Sequence, residues 1–84
     1  MYKMYYSHLF DKDGKWISTK VMENKKTGIC FHFMSDDLSR LYAIKRSNDF
    51  RIYTNKRYFK KYENEIKYIR KLIMEGKNYG KLEK

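Results

Sequence analysis

"YKMYYSHLFDKDGKWISTKVME", Tyr2–Glu23, is the stretch whose reading decides the fold. Two runs rich in aromatic and β-branched residues flank Asp11-Lys12-Asp13-Gly14, a turn sequence with a glycine placed for positive φ. With Lys12-Asp13-Gly14 as the loop, Asp11 stands opposite Lys15, Leu9 opposite Ile17, Tyr5 opposite Val21 and Lys3 opposite Glu23. Opposite charges then bracket apolar pairs, which is the pattern of a correct register. The chain is expected to open with an antiparallel hairpin.

Working outward, "NKKTG" (24–28) makes a second turn into "ICFHFM" (29–34). Placing Glu23 opposite Ile29 sets Phe31 against Val21 and Phe33 against Thr19. This register predicts two unlike faces. Tyr5, Leu9, Ile17, Val21, Ile29, Phe31 and Phe33 form a plain core face. Met4, Tyr6, His8, Phe10, Trp16, Lys20, Met22, Cys30, His32 and Met34 form a face of aromatic, sulfur and imidazole groups. The next segment has two readings. Ser35-Asp36-Asp37 suits a helix start, but "RLYAIKR" alternates as a strand, and Asn48-Asp49 suits a tight turn into "FRIYT". The strand reading is preferred because a meander needs no long connection. It would place Tyr42, Ile44, Arg46, Arg51 and Tyr53 on one face.

From Asn55 the period becomes helical. Phe59, Tyr62, Ile66, Ile69 and Ile73 recur at three- and four-residue steps, with Thr54 or Asn55 as cap and Gly76 as stop. The expected fold is α+β: an antiparallel meander of three to five strands, then one amphipathic helix packed on one sheet face. Residues 1–76 are read as a single domain and 77–84 as a flexible basic tail. An 84-residue chain is too short for more than one domain.

The formal net charge is +10, so the field of the chain attracts polyanions. Residues 56–84 carry ten basic and four acidic side chains, a net +6, against ten and six, a net +4, before them. On a helical wheel Arg57, Lys60, Lys61, Lys67 and Lys71 cluster opposite the apolar stripe, with Tyr68 among them. Such a strip, about 20 Å long by helix rise, would track several phosphates. A charged outer face is also what any surface helix shows. The second sheet face, if left in water, is too apolar for a solvated surface. It is expected either to be buried by a curled sheet or a homodimer, or to bind a partner. This aromatic binding face comprises Tyr6, Phe10, Trp16, Lys20 and His32: for nucleic acid, Tyr6 and Trp16 would stack bases while Lys20 takes a phosphate, and for a protein, Phe10 and Trp16 would be anchors and the methionines adaptable filler.

The primary expectation is a small non-enzymatic nucleic-acid-binding protein, with DNA and RNA not distinguished. The alternative is an inhibitor or adaptor of phage or plasmid type that docks on an acidic host protein surface. A remote alternative is a ribonuclease toxin using His8 and His32, which share a face in the register above. No metal, cofactor or catalytic motif is read from the sequence. Cys30 is the sole cysteine and no apolar run approaches the ~18 residues of a membrane span. A cytoplasmic protein without membrane association is therefore expected.

Overall fold

The structure is a computed structural model and describes residues 2–48 and 56–75. Four strands, β1 (Tyr2–Phe10), β2 (Trp16–Asn24), β3 (Ile29–Met34) and β4 (Asp37–Arg46), precede two short helices, α1 (Lys56–Lys61) and α2 (Glu63–Met74). The strands form one antiparallel sheet in the order β1-β2-β3-β4. This is the α+β meander-then-helix arrangement that the hairpin pattern and the helical period predict.

The first turn is made by Asp11 and Gly14. The Asp11 carboxylate accepts from the amides of Asp13 and Lys15, each at 2.8 Å. Gly14 sits at φ +78°, a conformation that a side chain disfavours. The β1–β2 register is the predicted one, with Lys3 opposite Glu23, Tyr5 opposite Val21 and Leu9 opposite Ile17.

The second register differs from expectation by one residue. Asn24 ends β2 opposite Ile29, and Val21 stands opposite His32, not Phe31. The cause lies in Asn24, whose side-chain oxygen accepts the amide of Lys26 at 2.9 Å and whose carbonyl accepts Gly28 N–H at 2.7 Å. Asn24 thus closes the turn from within the strand, where the sequence reading had placed it in the loop. A one-residue shift transfers every β3 side chain to the other face. Ile29, Phe31 and Phe33 therefore join Met4 and Met22, and Cys30 and His32 join Tyr5 and Val21.

Residues 37–46 are strand, as preferred above. A register shift after His32 leaves Ala43 opposite His32 but Leu41 opposite Phe33. The extra residue, Tyr42, breaks the alternation, so Leu41 and Ile44 both face the helices. The expected fifth strand at "FRIYT" and the expected tail at 77–84 lie outside the described residues.

The helices lie on the face of Met4, Met22, Ile29, Phe31, Phe33 and Ile44, where Ile66 and Ile69 complete the core and Phe59, Tyr62 and Ile73 pack against it. The helical stripe is the predicted one. The face it covers is the opposite of the expected Tyr5–Val21 face, as the register shift requires. The expected single helix is interrupted at Tyr62 (φ −105°, ψ 21°). Its hydrogen-bond ladder still passes through, from Tyr62 N–H to Tyr58 O and from Ile66 N–H to Tyr62 O. Glu65 ties α2 to the sheet: its Oε2 accepts from Tyr2 Oη at 2.7 Å and from Asn24 Nδ2 at 2.8 Å. Burial and the adjacent Glu65 push the Tyr2 phenol well above its usual range, which keeps it a donor.

The other face is also buried at its centre, by Leu9, Thr19, Val21, Cys30, His32 and Ala43. Burial raises the Cys30 thiol above its usual range, so the free cysteine is poorly ionised. No described helix is long and apolar enough to cross a membrane.

Candidate functional site

β1 and β2 are nine residues each, whereas β3 has six. Ladder pairing of β2 with β3 starts at Thr19 opposite Met34. The first hairpin therefore projects beyond the four-stranded sheet as a two-stranded ribbon. Its overhanging pairs are Phe10–Trp16 and Leu9–Ile17, while at the next pair, His8–Ser18, the Ser18 carbonyl still accepts from Ser35 N–H at 3.1 Å. Alternation puts Leu9 on the buried side and Phe10, Trp16 and His8 on the side that carries the helices further along the sheet.

On β1 and β2 the helices cover Met4 and Met22 but not the pairs beyond them, whereas on β3 the next residue of the same face, Phe33, is still buried in the core. Tyr6, Trp16 and Phe10 are 68%, 65% and 53% exposed, and His8 is exposed as well. The rings are not scattered. Phe10 and Trp16 have centroids 4.4 Å apart, and His8 meets Trp16 edge-on at 5.0 Å. Lys20 Nζ lies 5.6 Å from the centroid of the Tyr6 ring, within cation–π range. The hairpin thus presents an aromatic strip made of a cluster of three rings, Phe10, Trp16 and His8, with the Tyr6–Lys20 pair further in on the same face. A cross-strand aromatic pair also stabilises a hairpin by up to about 1 kcal/mol, so Phe10 and Trp16 have a structural use besides any contact with a ligand.

His32 does not belong to this strip. It points to the opposite face, where it is 4% exposed and its Nδ1 lies 3.1 Å from Thr19 Oγ1. The Thr19 hydroxyl donates its one proton to Ser7 O at 3.1 Å, so Nδ1–H of His32 donates to Thr19 and the lone pair sits on Nε2. Burial lowers the His32 pKa to about 4, with the Lys45 charge as a second cause. The imidazole is neutral at pH 7. His8 and His32 therefore face away from each other across the sheet. The paired-histidine arrangement expected for a ribonuclease is not formed by these two side chains. Among the described residues no three His, Cys, Asp or Glu side chains are grouped to hold a metal ion.

The helical basic strip is exposed throughout: Arg57, Lys60 and Lys61 on α1, and Lys67 and Lys71 on α2. Part of its layout serves the helix itself. Glu63 and Glu65 stand in the first turn of α2 and Lys71 in the last, where each charge complements the helix dipole. Lys61 Nζ reaches to 5.5 Å from the Tyr62 ring. Tyr68 is 53% exposed and leans on Tyr2, with ring centroids 6.2 Å apart. It sits at the Tyr2 end of the sheet, away from the aromatic strip of the hairpin.

One basic residue was missed in the sequence reading. Arg70, with Leu41, Phe59, Glu63, Ile66 and Lys67, lines a groove of about 260 Å³ between the helices and β4. Its place three residues after Lys67 was the available signal, and the wheel's focus on the outermost residues passed over it. Compared with known protein families, curated proteins and solved structures, the chain matches none.

Proposed function

We propose that this protein is a nucleic-acid-binding module that takes single strands, with bases stacked on the hairpin strip and phosphates held by lysine and arginine. One observation carries the reading. Tyr6, His8, Phe10 and Trp16 form one exposed aromatic strip beside Lys20, on a chain of net charge +10. Rings that accept any base face, next to cations that take the backbone, are what sequence-tolerant single-strand binding needs. Arg57, Lys60, Lys61, Lys67 and Lys71 supply the longer-range field. Tyr68 enters as a flanking ring at most, since it stands at the far end of the sheet.

The competing reading, an inhibitor or adaptor docked on an acidic host protein, drew on methionines beside Trp16 as adaptable filler. Met4 and Met22 are buried under the helices, so that support is lost, although Phe10 and Trp16 remain as anchors for either partner.

The test is fluorescence anisotropy of labelled single-stranded and duplex oligonucleotides at two salt concentrations, with Trp16 emission followed alongside. Trp16 is the sole tryptophan, so its signal reports the strip alone. Expected are tighter binding to the single strand, quenching of Trp16, and affinity that falls steeply with salt. Equal binding to both forms with unchanged Trp16 emission would reject stacking. Retention of one acidic protein with no oligonucleotide binding would favour the competing reading.

A further inference from the structure

We infer that the hairpin strip has a fixed footprint: it takes a single strand lengthwise, along the hairpin, with one base at the Phe10–Trp16 rings and a second at Tyr6, and it ends where the helices begin. This rests on the nucleic-acid reading above. The register defines the path. On the face that carries the helices the successive pairs are Phe10–Trp16, His8–Ser18 and Tyr6–Lys20. Phe10, Trp16, His8, Ser18 and Tyr6 are exposed and Lys20 is half-buried, so no buried side chain interrupts the run. Burial closes it inward and across the sheet. The next pair inward, Met4–Met22, lies under the helices, and the β3 residue opposite Lys20, Phe33, is fully buried in the core. Outward, the turn carries Asp11, Lys12, Asp13 and Lys15, whose charges cancel and which offer no ring.

The two ends are unlike. At the outer end the Phe10 and Trp16 rings stand 4.4 Å apart, with His8 edge-on to Trp16, which gives apolar surface and no ammonium group. At the inner end Lys20 Nζ lies 5.6 Å from the Tyr6 ring centroid, so a base on Tyr6 would have a cation beside it for its phosphate. Trp16 and Lys20 are four residues apart along β2, about 14 Å. At a stacked spacing of about 3.4 Å, roughly five nucleotides reach from one end to the other. Two nucleotides engage one end only.

The experiment holds the phosphates constant and varies the bases. Labelled strands of about twelve nucleotides carry about two, five or eight contiguous thymidines and are otherwise abasic, so that the bases fall short of, match and exceed the ~14 Å path. Kd and Trp16 emission are recorded for the parent, Tyr6→Thr, which removes the ring and keeps a strand-forming residue, and Tyr6→Phe, which keeps the ring. In the parent, going from two to five thymidines should tighten binding by roughly tenfold, the worth of one further stacked base. Going from five to eight should add nothing beyond the extra registers. Tyr6→Phe should keep the first step. Tyr6→Thr should lose most of it while binding the two-thymidine strand as the parent does. Tyr6 is exposed, and unaltered circular dichroism checks the fold of both variants.

If the parent binds and quenches Trp16 but shows no step between two and five, the Tyr6 end is refuted while the outer rings stand as the site. Equal losses by Tyr6→Thr on the two- and five-thymidine strands would likewise overturn it. A second step of the same size between five and eight would show that the path does not end at the helices, and would refute the footprint. If the parent binds none of the strands, the nucleic-acid reading fails and this inference fails with it.

Discussion

Acidification from pH 7 to pH 5 should destabilise this protein through His32. The imidazole is 4% exposed, donates to Thr19, and has its pKa lowered to about 4 by burial and by Lys45. In the unfolded chain a histidine titrates near 6.5. Between those two values the unfolded state binds the proton and the folded state does not. Stability therefore rises with pH across this window, is fully present above about 6.5, and is lost as pH falls toward 4. A displacement of that size, at about 1.4 kcal/mol per unit, amounts to about 3 kcal/mol in total, of which about 2 kcal/mol is lost by pH 5. That is a large share of the 5–10 kcal/mol typical of a domain of roughly this length. The assay is urea unfolding at pH 7 and pH 5, on the parent and on His32→Gln, which keeps an amide donor and cannot titrate. Glutamine fits less well, so the variant is less stable at pH 7, but its loss between the two pH values should be much smaller. Carboxylates titrate mostly below this window, and the comparison cancels what remains of them. If His32→Gln loses as much stability as the parent, or if the His32 ring titrates near 6.5 in the folded protein by NMR, the reasoning is wrong.

Other perturbations test other parts of the structure. Trp16→Ala should weaken single-strand binding by roughly tenfold while costing at most about 1 kcal/mol of stability from the lost cross-strand pair, read by anisotropy and by thermal unfolding. Tyr2→Phe removes one of the two donors to Glu65 and should cost about 1 kcal/mol, measured by chemical denaturation; an unchanged midpoint would mean that the link between α2 and the sheet adds nothing. Gly14→Ala meets no neighbouring atom but is forced to φ +78°, so it should cost about 1–2 kcal/mol. Gly28→Ala should cost more, because its Cβ would also lie 3.3 Å from Ser47 Oγ. Phe31→Ala, at a fully buried position, should destabilise by about 3–5 kcal/mol.

Much of the fold was legible because some signals were redundant. The first hairpin was specified by Gly14, by two charge pairs and by two apolar pairs that all demand one register. The helical stripe was specified by five apolar residues with one period. The second turn had no such redundancy. "NKKTG" allows Asn24 to belong to the loop or to the strand, and both placements leave Phe31 and Phe33 on an apolar face. Only the Asn24 side chain, folded over the turn to accept Lys26 N–H, decides between them. That single choice moved His32 off the candidate site and turned the Met4–Met22 face into the core. The bulge at Tyr42 was invisible for a related reason: alternation in "RLYAIKR" fits a regular strand, and the extra residue shows only in the pairing with Phe33. Tyr6, Phe10 and Trp16 are exposed, though on a face that was expected to lack a helix altogether.

The outer part of the strip, Phe10 and Trp16, is exposed because the first hairpin runs on past the helices and past β3, and the composition of this overhang is what invites a function. Nine-residue β1 and β2 span about 30 Å, and six-residue β3 about 20 Å, so the hairpin outruns β3 by about 10 Å whatever residues occupy it. A two-stranded ribbon of this kind needs an apolar side against the domain, which Leu9 provides, and nothing on its other side. Polar residues are compatible with that other side, since Ser18 occupies one of its positions. Threonine or lysine at positions 10 and 16 would preserve the strand at no cost in exposed apolar surface. Phe10 and Trp16 instead leave two large rings in water, three rows beyond the Met4–Met22 pair that the helices cover. The tilted cross-strand contact of the two rings recovers at most about 1 kcal/mol of that. The balance is the part of the structure that folding does not explain, and contact with bases would supply it.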